Sequence, residues 1–112
     1  MNTQDGIALT GKLTISLNDE IVQETDNLVV TAGKEWVAAR MKDTSTVMTH
    51  MAIGTGTNAA AAGDTTLQTE NARVALTTSG GTVAGAVITF ATTVAAGTGT
   101  GAITEAGILN AA

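Results

Sequence analysis

Few residues in this chain could do chemistry. His50 is the only imidazole, so a nucleophilic triad would have to join it to Ser16, Ser45 or Ser79. None of these serines sits in the Gly-x-Ser-x-Gly setting that lifts a nucleophile out of a strand-to-helix turn. A general base needs its partner within hydrogen-bond reach, and a lone histidine on a strand most often serves the fold. No catalytic residue is assigned, and the chain is not expected to be an enzyme.

Gly54-Thr55-Gly56-Thr57-Asn58-Ala59 matches the spacing of the dinucleotide fingerprint and follows an apolar strand, where glycines let a backbone approach a pyrophosphate. The fingerprint also requires a long helix whose amino terminus holds the phosphates. Here four alanines lead straight into Gly63-Asp64, which leaves no room for that helix. A tight loop is expected, with no cofactor.

Asp19, Glu20, Glu24 and Asp26, flanked by Asn18 and Asn27, offer the hard oxygens that Ca²⁺ takes. They lack the ordered ligand spacing and central glycine of a calcium loop. A solvated hairpin rim is the expected reading and no metal site is assigned. The chain has no cysteine, which removes thiolate metal sites, cysteine nucleophiles and disulfides together. Two carboxylates are assigned structural roles. Asp64 opens the Asp64-Thr65 turn and Glu105 lies between Thr104 and Ala106, and each is placed to accept backbone amides and fix a loop.

The elements that position these residues follow from periodicity. Ile7, Leu9, Leu13, Ile15 and Leu17 alternate with polar residues, the pattern of a half-buried strand. Asn18-Asp19-Glu20 supplies a turn, and Ile21 to Val30 returns as one or two shorter strands, so a hairpin is expected. Thr31 can cap a helix over Ala32 to Lys42, with Val37 and Met41 one turn apart beside Trp36 and with Arg40 and Lys42 in the last turn, where the dipole favours cations. So short a helix must pack on the sheet.

Asp43 to Thr46 reads as a loop and Val47 to Ile53 as a strand. Three further alternating segments follow, near Ala72 to Thr78, Thr82 to Val94 and Ala102 to Asn110, punctuated by Gly80-Gly81 and by Gly97 to Gly101. The expected fold is mainly β, an antiparallel β-sandwich of jelly-roll or immunoglobulin-like type with one short α-helix, as a single domain over residues 1–112.

Charge distribution bounds the partners. The net charge is −5, and the basic residues Lys12, Lys34, Arg40, Lys42 and Arg73 are scattered, whereas phosphate binding needs a clustered basic surface. Nucleic acid is not an expected partner. The amino terminus lacks the basic region and apolar core of a signal peptide, so no export is implied. From Val74 to Thr104 no side chain is charged. That stretch is broken by Thr77 to Thr82 and lacks the flanks of a membrane span, so membrane is not an expected partner either. On a strand over Thr82 to Val94 neither face would carry charge, which fits a central strand or one whose outer face meets another subunit. Val83, Val87 and Thr89 are the candidate interface residues, and a homo-oligomer or a lattice is expected.

The passage Met51-Ala52-Ile53-Gly54-Thr55-Gly56-Thr57-Asn58-Ala59-Ala60-Ala61-Ala62-Gly63-Asp64-Thr65-Thr66-Leu67-Gln68-Thr69-Glu70 resembles one found in small structural proteins of tailed bacteriophages. The ending Ile103-Thr104-Glu105-Ala106-Gly107-Ile108-Leu109-Asn110 is similar to theirs, as is Asn27-Leu28-Val29-Val30-Thr31-Ala32-Gly33-Lys34 running into a helix. Departures are the Asn58-Ala59 link, where proline is common, and Leu109, where an aromatic is frequent. The resemblance implies a virion component, either head decoration or tail-fibre-like, assembled in the host cytoplasm. The chain has no long rod or attachment domain of a fibre, so a capsid decoration or cement protein on the major capsid protein or other virion subunits is favoured. A tail-fibre or baseplate appendage involved in host attachment is the alternative. A carbohydrate-binding module is disfavoured because Trp36 and Phe90 are the only aromatics, too few for a stacking platform.

Overall fold

The computed structural model describes residues 8–42 and 46–112. Ile7, the first position of the opening alternation, and Asp43 to Ser45 of the expected loop, with the candidate serine Ser45, lie outside them. The described chain is mainly β with one short helix. Its order is β1 (Gly11–Leu17), β2 (Glu20–Asn27), α1 (Thr31–Lys42), β3 (His50–Gly54), β4 (Glu70–Ala75), β5 (Thr82–Ala84), β6 (Val87–Thr89) and β7 (Glu105–Leu109).

All pairings are antiparallel. They form a β1-β2 hairpin, a β5-β6 hairpin and a three-stranded sheet in the order β4-β3-β7. Jelly-roll and immunoglobulin-like strand orders are not among these arrangements. Alanine and glycine at every few positions keep the strands short, and the chain turns back before wide layers can be built.

The first hairpin follows its sequence closely. Asn18 and Asp19 have φ of 52° and 63°, the two left-handed residues of a type I′ turn, whose twist matches that of the flanking strands. The polar run Gln23 to Asn27 belongs to β2, which is one continuous strand. Ile15 pairs with Gln23 and Ser16 with Ile21, which leaves Val22 as a bulge. The hairpin is exposed on both faces beyond Leu13.

The helix begins one residue earlier than expected. Thr31 is its first residue, and the Lys34 N–H donates to the Val30 carbonyl at 3.0 Å. None of its residues is fully buried. Trp36 and Val37 are half-buried, the Trp36 indole donates to the Thr46 carbonyl at 2.6 Å, and the Thr31 N–H donates to the Ala62 carbonyl at 2.8 Å. The helix is thus held to the loops at 46 and 62, where the short-helix argument had expected a sheet.

The second hairpin corrects the reading of Thr82 to Val94 as one long strand. Gly85 has φ of 59°, and the chain reverses over Gly85-Ala86 so that Thr82 pairs with Thr89, Val83 with Ile88 and Ala84 with Val87. A glycine in the left-handed region at the first of two turn residues suits a type II′ hairpin. Cross-strand partners share a face. Val87 and Thr89 therefore lie together with Thr82 and Ala84, while Val83 lies on the opposite face with Ile88.

The core sits around β3, where Ala52 is fully buried. Ile53 and Ala72 face each other across β3 and β4, and the loop at Gly99 lies directly against them. On the other face Leu67 packs 3.3 Å from where a Cβ on Gly107 would stand. Hydrogen bonds beyond the strand ends extend the sheet: Thr49 N–H to the Leu109 carbonyl and Leu76 N–H to the Thr49 carbonyl, both at 2.8 Å. Leu76 is the only other buried apolar side chain among the described residues.

Candidate functional site

The polar centre of the molecule is built around Glu105, the first residue of β7, which pairs with Gly54 at the end of β3. Its carboxylate accepts three backbone N–H groups. Oε2 takes those of Gly56 at 2.5 Å and Thr69 at 2.9 Å, and Oε1 takes that of Gln68 at 2.7 Å. Thr104 closes the same corner. Its hydroxyl donates to the Gly56 carbonyl at 2.5 Å and its N–H to the Gly54 carbonyl at 2.9 Å. The Gln68 side-chain oxygen accepts the Asn58 N–H at 2.9 Å, and the Thr55 N–H donates to the Thr69 carbonyl at 3.0 Å.

This geometry explains why glycines stand at 54 and 56. A Cβ on Gly56 would overlap Glu105 Oε2 and the Gln68 Cβ, and one on Gly54 would overlap the Thr69 carbonyl oxygen. The backbone amides that a phosphate would use in a nucleotide loop are here engaged by an internal carboxylate, as in an anion-binding nest filled from within the chain. No helix follows the loop, so the fingerprint spacing reflects close approach to Glu105.

Electrostatics agree with a fixed anion. Partial burial, the largest single influence, pushes the Glu105 carboxyl up. The bonds from Thr69, Gln68 and Gly56 together outweigh it, and Asp64 adds a small upward push, so the group is held below its ordinary value. A carboxylate whose oxygens are committed to three amides is a poor general base, because the proton would have to displace those donors.

Asp64 makes a smaller version of the same contact: Oδ2 accepts the Ala61 N–H at 2.9 Å and the Asp64 N–H donates to the Ala61 carbonyl at 3.0 Å. Asp64→Ala is expected to lower stability by about 1 kcal/mol, the size of a lost turn or cap bond. Chemical denaturation checks it, and an unchanged midpoint would remove the role.

The other candidates stand apart. His50 Nδ1 is 2.7 Å from the neighbouring Thr49 hydroxyl, and among the described residues no serine hydrogen-bonds to it. Glu24 lies 3.7 Å from Lys12 across the hairpin. Among the described residues no three of His, Cys, Asp and Glu are grouped to hold a metal ion. No helix of the described residues is long and apolar enough to cross a membrane.

A second ion pair escaped the sequence reading. Arg73 donates to Glu70 at 2.9 and 2.6 Å and to the Ala111 carbonyl at 3.2 Å. The bonds between the two side chains chiefly hold the Glu70 carboxyl low and the Arg73 guanidinium high. Residues three apart on a strand edge gave no periodic signal for this pair.

The candidate interface residues are all exposed, Val83 at 72% and Val87 at 62% with Thr89 beside it. They do not form one face, since Val83 points away from the other two. Ile88, at 47%, is the exposed apolar neighbour that a straight-strand reading missed. Compared with known proteins, the chain matches no protein-family model, no curated protein and no solved structure.

Proposed function

We propose that this chain is a non-enzymatic structural protein of a tailed-bacteriophage virion, a capsid decoration or cement subunit that stabilises the head lattice. The observation that carries the reading is the surface. The chain exposes 8246 Å², against about 5,700 Å² for a compact monomer of its mass. Its radius of gyration is 15.2 Å, where about 13 Å is usual for this length. Exposed aliphatic side chains run along both hairpins and the helix. Such a subunit is suited to burying surface against neighbours.

The polar centre supports the same reading. Two of the three passages that carry the phage resemblance are joined by the Glu105 bonds and by the β3-β7 pairing, so their shared residues serve to lock loops together. The Glu105 carboxylate is occupied by the backbone amides of Gly56, Gln68 and Thr69.

Labelling of the chain on purified particles tests the assignment. A decoration protein is expected over the whole head surface. Label confined to the tail would replace the proposal with the tail-fibre or baseplate alternative, and absence from particles would end both.

A further inference from the structure

We infer that the tip of the β1-β2 hairpin of one copy docks into the groove beside helix α1 of a second copy. The hairpin tip carries Leu17, Ile21 and Val22, which are 65%, 62% and 58% exposed, together with Asp19 and Glu20 at the turn. A two-stranded hairpin with no covered face is marginal in water, and these side chains gain stability only where something apolar meets them.

The groove has the matching chemistry. It is lined by Ala8, Leu9, Val37, Ala38 and Met41, with Lys34 at its side. Met41 is 70% exposed, and Lys42 follows it in the last helical turn. Among the described residues neither Lys34 nor Lys42 has an ion-pair partner. An apolar tip flanked by two carboxylates thus faces an apolar groove with the Lys34 ammonium at its side, on a helix whose last turn carries Lys42.

Geometry makes the contact intermolecular. The groove lies at the hairpin's base, formed by the residues leading into β1 and by the helix that follows β2. The seven residues of β1 carry the tip about 20 Å away from it. Two hairpins packed on one another would bring Asp19, Glu20, Glu24 and Asp26 of both copies together, which like-charge repulsion opposes.

Area agrees as well. A standard interface takes about 800 Å² from each partner, and Leu17, Ile21 and Val22 at the tip and Met41 in the groove are each more than half exposed. Tip and groove are different patches, so the contact is head-to-tail, and repetition closes a ring or extends along a lattice. This contact is independent of where the subunit sits in a virion: particle labelling can fail while it stands, and it can fail with labelling unchanged.

The absence of native cysteine permits a direct test. Leu17→Cys and Met41→Cys proteins are prepared separately, mixed, oxidised with copper phenanthroline and resolved by non-reducing electrophoresis. A mixed 17–41 dimer is expected as the main product, with its yield falling in the presence of Lys34→Glu and recovering when Glu20→Lys is added to the hairpin partner. Only same-site dimers, or none, overturns the inference. Circular dichroism checks the fold of each variant. If a cysteine variant does not fold, sedimentation of the cysteine-free chain decides: Glu20→Lys and Lys34→Glu should each weaken self-association about tenfold and together restore it. A wild-type chain that stays monomeric at high concentration also overturns the inference.

Discussion

Replacing Glu105 by alanine is expected to cause the largest loss of stability of any single polar substitution in this chain. It strips the Gly56, Gln68 and Thr69 N–H groups of their acceptor at once, and the Gly56 N–H, in the part-buried part of the corner, costs more unpartnered than its bond contributed. The thermal midpoint should fall on the order of 10 °C. Glu105→Gln should recover only part of it, because one amide oxygen can still accept from Gly56 and Thr69 while its NH₂ points a donor at the Gln68 N–H.

The same residue sets an acid limb. The folded-state carboxyl lies below its ordinary value of 4.5, so its contribution is fully present above that value and is lost as pH falls through the lower, folded value. Thermal melts from pH 7 to pH 2 should therefore show wild type approaching Glu105→Gln at the acid end. Part of the slope persists in the variant, because Glu70 is also held low by its bond from Arg73. Parallel curves for the two proteins would show that the carboxylate charge adds nothing.

Val87→Lys is expected to abolish incorporation into particles while leaving the isolated fold intact. Val87 is 62% exposed in the free chain, so a lysine there can reach water and should change stability by less than about 0.5 kcal/mol. If a neighbour covers that face, the unpaired ammonium costs about 3–5 kcal/mol, enough to weaken binding at least roughly a hundredfold. Val83→Lys separates the two sides of the hairpin, since Val83 faces away with Ile88. Occupancy is read from labelled or quantified particles. Val87→Lys protein that folds and binds at wild-type occupancy would exclude this face as an interface.

Legibility in the sequence tracked distance along the chain. A turn within Asn18-Asp19-Glu20 and the helix to within one residue were readable because their causes are local: turn-forming residues and helical spacing. The hairpin at Gly85 was not. Ala84, Ala86 and Ile88 keep a period of two through a two-residue turn, so alternation alone cannot distinguish a straight strand from a reversal, and only the positive φ of Gly85 does. That Glu105 would accept amides was legible from its setting between Thr104 and Ala106. Its donors lie 36 to 49 residues away, and no local pattern could name them.

That separation orders the folding of the chain. The β1-β2 and β5-β6 hairpins close over two-residue turns and can form within microseconds. The β3-β7 pairing must first close a loop of about fifty residues and bear its entropy before any bond repays it. During synthesis β3 emerges long before its second neighbour, and the uncharged span from Val74 to Thr104 leaves the ribosome before β7 is available to complete the sheet. β7 is therefore the strand that completes the three-stranded sheet.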